Sequence, residues 1–349
     1  MDKREINIDR GRSLWYYSYR RFKRHKLAVS AFFFLCILII AAVFAPLISP
    51  YDPDRQLLEF TSKPPMFSSK VLLKQENGTG KIIPVKKLIS EDDKSVKYVD
   101  YTDKEITESI DALAKKDGSC VYEMKFLLGT DRFGRDILSR LIYGARISLS
   151  VGLISQGIAL LLGVFLGSIA GYFRGASDRL IMWLVNVVWA FPSILLVIAI
   201  SIVLGKGYWQ AFVAIGLTGW VDIARVIRGQ IISIRESEYV EAARAAGFGS
   251  LRIIFRHVLP NSFSPVIVTS TVGLANAIIF ESSLSFLGLG VQPPTASWGQ
   301  MVFDGYKFLI TGTNFGMVLF PSLAILLAVF AVNLIGDGIR DAFDPKLKK

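Results

Sequence analysis

Six long apolar segments limit what this chain can fold into, because each approaches the length of a helix that crosses a membrane. About 20 helical residues cross the roughly 30 Å of hydrocarbon in a bilayer. Hydrophobic side chains make up 52% of the 349 residues, which is too many for one soluble domain of this length. The sequence therefore predicts an all-α polytopic membrane protein. Its predicted spans lie at residues 27–48, 147–172, 180–204, 208–224, 263–280 and 315–335.

The first apolar segment could instead be a cleaved signal peptide. Its apolar run exceeds the roughly 7 to 15 residues of a signal-peptide core. The best small-residue cleavage site would also leave Pro46 at the new terminus. We therefore interpret residues 27–49 as the first transmembrane helix.

The distribution of Lys and Arg predicts how the chain is oriented. Outside residues 50–146, 21 of 23 basic residues fall on one side of the predicted spans, and only Lys206 and Lys307 fall on the other. Since basic residues in short loops accumulate on the cytoplasmic side, both termini are predicted to be cytoplasmic. Residues 50–146 contain 17 basic and 16 acidic residues, so the net charge of +11 mostly reflects this asymmetry. It gives no support to nucleic-acid binding.

This orientation divides the chain into five segments. We predict a basic cytoplasmic segment at 1–26, the first transmembrane helix at 27–49, an extracytoplasmic segment at 50–146 with an insert at about 66–125, a five-helix core at 147–338 that includes a cytoplasmic loop at 227–261, and a cytoplasmic tail at 339–349. The insert is predicted to be a small α/β subdomain. It would contain a hairpin that turns at "NGTG" (77–80) and a helix within "TDKEITESIDALAKK" (102–116), where Ile106, Ile110 and Leu113 recur at helical spacing.

The chain lacks the motifs of a self-contained enzyme. "NGTGK" has neither the first glycine nor the following Ser or Thr of a phosphate-binding loop, so the chain is not expected to hydrolyse ATP by itself. Neither H-E-x-x-H nor G-x-S-x-G occurs, which makes an intramembrane hydrolase a poor second hypothesis. Carboxylates are also missing from the middles of the predicted spans, where an ion-driven carrier would need them. We expect no metal site, no cofactor bound by this chain, and an external source of energy.

The stretch "EYVEAARAAGFGSLRIIFRHVLPN" (238–261) is a polar segment between apolar ones. Ser237 is a plausible N-cap, Glu238 suits the positive end of a helix, and Gly247 is predicted to end that helix with a positive φ. A second helical piece is predicted to end at Pro260.

Small side chains dominate the first of these helices. Its alanines form a surface with almost no side chain, which suits insertion into a groove of a partner; they are Ala242, Ala243, Ala245 and Ala246. Glu241 and Arg244 could fix that surface by pairing with each other or by contacting the partner. The alternative is an amphipathic helix that rests on lipid, but the large apolar residues that such a helix buries are lacking.

These residues carry a family resemblance. "EAARAAG" followed by "RHVLPN" resembles the EAA loop of ABC-importer permeases, with matching positions at Glu241, Ala242, Ala243, Gly247, Leu259 and Pro260. Four further stretches resemble the dipeptide and oligopeptide branch of these permeases. They are "LGTDRFGRDILSRLIYGARISLSVG" (128–152), "GWVDIARVIRGQ" (219–230), "ESSLSFLGLGVQPPTASWGQMV" (281–302) and "NLIGDGIRDAFDP" (333–345). The similarity covers residues 27–63 and 127–349 and is that of a C-type permease subunit.

The resemblance implies a six-helix ABC-importer (type I) permease bundle in the bacterial inner membrane, with a small extracytoplasmic α/β insert. The implied partners are a second, B-type permease, two ABC ATPase subunits that bind ATP and Mg, and an extracytoplasmic substrate-binding protein. The implied ATPase-coupling residues are Glu238, Tyr239, Glu241, Ala242, Ala243, Arg244, Ala246 and Gly247. The implied substrates are di- and oligopeptides, although nickel, glutathione and sugar importers share this type of subunit. The alternative is a noncatalytic receptor or assembly factor that uses the same loop to bind a partner.

Two departures from the family pattern bear on the substrate. The insert exceeds the expected short connection, and Trp183 and Asn186 stand where the family tends to have Arg and Asp. Polar residues on the spans are candidates for the transport pathway because an amide or carboxyl exposed to lipid is costly, and interhelical hydrogen bonding is an equally good role for them. These candidates are Asn186, Asn276, Glu281 and Asn333.

Helix packing leaves its own pattern in the second span. Small residues recur there at every fourth position, namely Ala159, Gly163, Gly167 and Gly171. This spacing allows close approach of a neighbouring helix, and we favour a neighbour within the chain over a dimer partner. Pro192 and Pro321 are expected to kink their spans.

Overall fold

The computed structural model describes residues 14–76, 79–92, 94–114, 119–311 and 314–343. Its helices are α1 (Leu14–Arg24), α2 (Lys26–Val43), α3 (Ala45–Ile48), α4 (Ile137–Phe173), α5 (Gly175–Trp189), α6 (Ser193–Leu204), α7 (Tyr208–Ile234), α8 (Glu238–Ala245), α9 (Ser250–Ile253), α10 (Leu259–Phe286), α11 (Trp298–Thr311) and α12 (Gly316–Phe343). The chain forms two compact units. The first is helical and comprises Met1–Val43, Ala145–Gln292 and Leu323–Lys349, and the second comprises Phe44–Gly144 and Pro293–Ser322.

The predicted transmembrane segments are helices. Within the described ranges, α2, α4, α7, the continuous run Ser250–Phe286 and α12 are each long and apolar enough to cross a membrane. The pair formed by α5 and α6 passes the same test when it is counted as one span. The chain is therefore a polytopic helical membrane protein with five such helices, or six with the bent pair.

Several spans are longer than the apolar pattern predicted, and in α4 and α7 polar side chains along the added length have partners. Helix α4 begins at Ile137 rather than at residue 147, and Arg146 donates hydrogen bonds to the carbonyl oxygens of Ala42 and Val43 at 3.0 and 2.9 Å. Helix α7 continues to Ile234 rather than ending at 224. There, Arg228 donates two hydrogen bonds, of 2.5 and 2.7 Å, to the carboxylate of Asp178 on α5.

The third predicted span is broken in the middle. Helices α5 and α6 meet at an angle of 93° across a break that contains Pro192. Proline has no N–H to donate and its ring clashes with the preceding turn, so a helix readily breaks there. The expected kink at Pro192 is confirmed, whereas Pro321 lies inside α12, which continues through it.

The second helical piece of the loop at 227–261 does not end at Pro260 as predicted. A π-helical turn, Ile254–Val258, joins α9 to α10, and Pro260 lies in the first turn of α10. Proline is tolerated in the first turn of a helix because the N–H it lacks would have no partner there. The loop is thus joined to the fifth span without a break.

The glycine pattern of α4 serves packing within the chain, as predicted. A Cβ atom added at Gly163 would lie 2.6 Å from Cβ of Ile223, and one added at Gly171 would lie 2.9 Å from the carbonyl oxygen of Arg228. Both neighbours belong to α7. Glycines therefore bring these two helices close enough to pack backbone against side chain.

The insert is a pair of small antiparallel sheets and contains no α-helix among its described residues. Its strands are β1 (Phe67–Glu76), β2 (Thr79–Val85), β3 (Lys87–Glu91), β4 (Ser95–Val99), β5 (Glu105–Ser109) and β6 (Val121–Phe126), ordered β2-β1-β6 and β3-β4-β5. The predicted hairpin is confirmed by the pairing of β1 with β2, although residues 77 and 78 of its turn lie outside the described residues.

The prediction of a helix within residues 102–116 is wrong. Residues 105–109 form β5, which pairs with β4 so that Ile106 lies opposite Tyr98. The side chains of "EITES" alternate between exposed and half-buried, with Ile106 and Glu108 half-buried. Pairing with a buried strand therefore overrides the helical spacing.

The "LGTDRFGRDIL" stretch builds a buried ionic cluster in the second unit. Arg135 contacts the carboxylate oxygens of Asp131 at 2.6 Å and Asp304 at 2.9 Å. Arg140, only 1% exposed, contacts Asp54 at 3.2 Å. Buried charges are tolerated when they are paired in this way. The cluster thereby fastens the segment before the insert and helix α11 to the start of α4.

Candidate functional site

A cavity of about 360 Å³, lined by apolar residues and by several polar ones, lies among α4, α6, α7 and α10 in the helical unit. Most of its polar lining comes from the middles of these helices: Ser155, Gln156, Thr218, Asp222, Thr269 and Asn276. Ser155 Oγ and Gln156 Nε2 are buried and have no hydrogen-bond partner in the described structure. Polar atoms without partners within a transmembrane bundle are costly, which points to groups that a passing solute or its water would satisfy.

Asp222 is the charged member of the cavity lining. Its Oδ1 accepts a hydrogen bond of 2.9 Å from Nε1 of Trp189, the last residue of α5. On the same indole ring, the guanidinium of Arg225 stacks 3.8 Å from the ring centroid. Arg225 also reaches Oδ1 of Asn186 at 3.5 Å. Trp189 therefore links α7 to the end of α5, directly before the 93° bend.

The sequence analysis missed Asp222, because the apolar run that it counted as a span ends two residues later. The observed helix continues to Ile234 and places Asp222 near its middle. The missing signal was the set of charged residues beyond 224, whose side chains find partners on α5 and so let the helix continue. The interpretation that carboxylates are absent from the middles of the spans is therefore wrong at this position.

The four predicted pathway residues occupy different environments. Asn276 lines the cavity. Asn186 and Asn333 have exposed side chains and do not line it. Glu281 is fully buried, and its carboxylate accepts hydrogen bonds from the hydroxyls of Ser148 at 2.9 Å and Ser285 at 2.8 Å. Glu281 therefore joins α4 to α10 and does not form part of the cavity wall.

The loop at 227–261 displays helix α8 on a packed base. Val240 and Ala243 are buried in a cluster with residues of α7 and α10, such as Ile231 and Val266. The remaining predicted coupling residues are exposed, namely Glu238, Tyr239, Glu241, Ala242, Arg244, Ala246 and Gly247. Ala243 is therefore not part of the predicted alanine surface. It faces the buried cluster under α8, where its methyl group fits.

The ends of α8 match the sequence prediction only in part. Gly247 follows the helix with φ of +80°, as predicted. Ser237 occupies the N-cap position, but its hydroxyl donates to the carbonyl of Ile234 at 2.5 Å and does not cap the helix. Glu241 and Arg244 form no ion pair with each other or with any other described residue, so both charges stay available to a partner.

A second charged contact supports the base of this loop. Arg174, between α4 and α5, contacts the carboxylate of Glu236 at 2.6 Å, just before α8. The hydrogen bond from Arg174 holds the pKa of Glu236 below its ordinary value. Farther along, the ring of Phe248 stacks on that of His257 with centroids 6.1 Å apart. The first contact connects the loop to the bundle before α8, and the second connects the residue after Gly247 to the π-helical turn that leads into α10.

A polar cavity among transmembrane helices, joined to a loop that displays a short helix, is the architecture of a membrane permease. Two family profiles match the chain. The profile described as "Binding-protein-dependent transport system inner membrane component" matches residues 163–349, and "N-terminal TM domain of oligopeptide transport permease C" matches residues 13–65. The chain therefore belongs to the family of inner-membrane permease components of binding-protein-dependent transport systems.

Individual relatives match over nearly the whole chain. The di/tripeptide transport system permease protein DppC of Pseudomonas aeruginosa (strain UCBPP-PA14) is 36% identical, covering 95% of this chain and 91% of the relative. The oligopeptide transport system permease protein OppC of Bacillus subtilis (strain 168) is 35% identical, covering 97% of this chain and 91% of the relative. A structure of the inward-facing MetNI methionine ABC transporter is 19% identical with a TM-score of 0.50, covering 60% of this chain and 98% of that one. This last likeness concerns the fold alone.

Proposed function

We propose that this chain forms half of the translocation pathway of an ATP-driven importer for di- or oligopeptides. The observation that carries the proposal is the polar cavity at the middles of α4, α7 and α10. The relatives named above are peptide permeases by their names, and they match 95% and 97% of this chain. The cavity is only partly enclosed by this chain, which suits a pathway completed by a second permease subunit.

The energy for transport comes from partner subunits in this proposal. Two ATPases would bind ATP and Mg and would dock on α8, and an extracytoplasmic binding protein would deliver the solute. The exposed side of α8 supports this role, since it combines Glu238, Glu241 and Ala242, and Tyr239 is its one exposed aromatic residue. Both termini and this loop would be cytoplasmic, as the distribution of basic residues favours.

Reconstitution tests this function. The chain, its B-type partner permease and the two ATPases would be purified together and placed in liposomes with the binding protein on the outside. We expect uptake of radiolabelled di- and tripeptides that requires internal ATP and the binding protein, with ATP hydrolysis stimulated by loaded binding protein. Peptide binding without uptake would favour the receptor or assembly factor instead. Uptake of glutathione or nickel in place of peptides would overturn the substrate class alone.

A further inference from the structure

The carboxylate of Asp222 is only partly satisfied by its own chain. Trp189 donates to Oδ1, while Oδ2 receives no hydrogen bond and Asp222 forms no ion pair among the described residues. Arg225, one turn away on α7, stacks on Trp189 and lies beyond ion-pair distance of Asp222. The side chain of Asp222 is exposed in the single chain. At the middle of a span, however, a carboxylate without a partner for its second oxygen is costly, and a cation that enters the cavity lowers this cost.

The rest of the cavity supplies neutral polar groups on the facing helices. Gln156 of α4 lies against Gly273 of α10, where any side chain would collide with its amide group. Asn276 lies one turn farther along α10 and lines the same cavity. The lining thus combines one negative charge with amides and hydroxyls, which suits a solute that has a positive group and a polar backbone.

We propose that Asp222 is a transit site for the protonated α-amino group of a peptide, with Gln156 and Asn276 contacting the adjoining peptide backbone. This inference rests on the proposed function. Peptides differ in their side chains but share an amino terminus and a backbone. A pathway that accepts many peptides therefore gains most from contacts to those shared groups, and a carboxylate with charge-assisted hydrogen bonds is the side chain that recognises an ammonium group.

The test compares trialanine with N-acetyl-trialanine in the reconstituted complex, each at a concentration that saturates the binding protein. Acetylation removes the positive charge and leaves the rest of the peptide intact. We expect Asp222→Asn to lower trialanine uptake about tenfold, as for loss of one hydrogen bond to a charged group, and to change N-acetyl-trialanine uptake less than about twofold. The amide keeps an oxygen that Trp189 can bind.

Two further variants separate recognition from support of the helix bend. The double variant with Asp222→Asn and Asn276→Asp moves the carboxylate across the cavity, and it should recover part of the trialanine uptake. Trp189→Phe removes the donor but keeps the carboxylate, so it should lower the uptake of both peptides by the same factor and preserve their ratio.

The outcomes are distinct. If Asp222→Asn lowers the uptake of both peptides by the same factor, as expected for Trp189→Phe, Asp222 only holds the bend between α5 and α6. The proposal is then overturned. Unchanged trialanine uptake in Asp222→Asn overturns it as well, while leaving peptide transport by the complex intact. Absence of peptide uptake in the unaltered complex, despite import of another solute, overturns the substrate class and this site together.

Discussion

The backbone amide of Phe248 donates a hydrogen bond of 3.2 Å to the carbonyl oxygen of Ala243, and this contact closes helix α8. The amide of Gly247 donates to the carbonyl of Arg244 at 3.0 Å, so the two bonds form a Schellman motif. The motif requires a left-handed residue, which Gly247 supplies with φ of +80°. Phe248 then turns back against the cluster that buries Val240 and Ala243. One glycine therefore fixes the angle at which the exposed side of α8 is presented.

We predict that Gly247→Val separates membrane insertion from energy coupling. A non-glycine residue in the left-handed region costs about 1–2 kcal/mol, and a β-branched residue is disfavoured there further. The end of α8 should shift, so that ATPase co-purification and uptake fall while membrane abundance and binding of the partner permease stay normal. Gly249→Ala is the matched control, because Gly249 has an ordinary φ of −65° and open space around its Cβ position. Normal coupled transport in Gly247→Val would show that α8 does not dock in a geometry-dependent manner.

Adjacent alanines on α8 should respond differently to a larger side chain. Ala242 is exposed, so Ala242→Leu should block the docking surface, reducing ATPase co-purification at normal membrane abundance. Ala243 is only 7% exposed within the hydrophobic cluster, so Ala243→Leu should overpack it at a cost of about 1–3 kcal/mol and lower the membrane abundance itself. Quantitative immunoblots of membranes and of purified complexes separate the two effects. If both variants have the same membrane abundance and lose the same amount of co-purified ATPase, Ala243 is not packed beneath α8.

The sequence predicted the spans well where apolar residues alone decide them, and poorly where polar residues lie on a span. The existence of α2, α4, α7 and α12 follows from apolar runs, and the family motifs located the loop that carries α8. The true end of α7 depends on the pairing of Arg228 with Asp178, which lie 50 residues apart in the chain. A pattern of local hydrophobicity contains no information on such a pair.

The same limit applies to the candidate site. Residue type was enough to select Asn276, but not to distinguish it from Glu281, because both are polar residues on α10. Only the packing of α4 shows that Glu281 is enclosed by serine hydroxyls whereas Asn276 faces a cavity. Similarly, four alanines in one short helix look alike in sequence, and the neighbours of α8 decide which of them is buried.

We predict that Gly167→Ala destabilises the bundle. The added Cβ would lie 2.5 Å from the carbonyl oxygen of Ala224 and would also collide with the side chain of Ile227, both on α7. Since backbone cannot move aside cheaply in a packed interior, we expect a loss of about 1–3 kcal/mol and reduced membrane abundance. Gly157→Ala, on the same helix, has nothing within 4 Å of its Cβ position and should be tolerated. Thermal unfolding of both variants in detergent provides the measurement, and similar midpoints would contradict close packing of α4 against α7.

Asp136 should make stability depend on pH. It precedes α4, and its Oδ2 accepts the backbone amide of Ser139 at 2.8 Å, while its Oδ1 is buried without a partner. Burial raises the pKa of Asp136 above its ordinary value of 3.8, although the hydrogen bonds from Ser139 oppose this shift. As the pH rises from about 3.8 to the raised pKa, the folded protein retains a proton that the unfolded chain has lost, so this group's contribution to stability falls and then levels off.

Two substitutions at position 136 isolate that contribution. Asp136→Asn keeps a capping oxygen and does not titrate. Its melting temperature, measured from about pH 4 to pH 7, should exceed that of the unaltered protein by an amount that grows until the pH passes the raised pKa and then stays constant. Asp136→Ala loses the cap and should be destabilised by about 1 kcal/mol relative to Asp136→Asn at every pH. The measurement is thermal unfolding of the detergent-solubilised protein over this range. If the difference in melting temperature between Asp136→Asn and the unaltered protein is the same at every pH, the pKa of Asp136 is not raised.

The insert should be removable without loss of the bundle, because its two ends are adjacent. Ser68 of β1 lies opposite Lys125 of β6, so an Asn-Gly turn joining them closes a short hairpin and removes residues 69–124. This design keeps Phe67 and Phe126, whose rings stack with centroids 6.1 Å apart and cover Phe60. The trimmed chain should therefore assemble with its partners at normal abundance. If the insert contacts the binding protein or shields the substrate entrance, uptake should fall at limiting concentrations of loaded binding protein and recover at saturating ones. Equal uptake by both chains at every concentration would instead make the insert a tolerated addition without a role in transport.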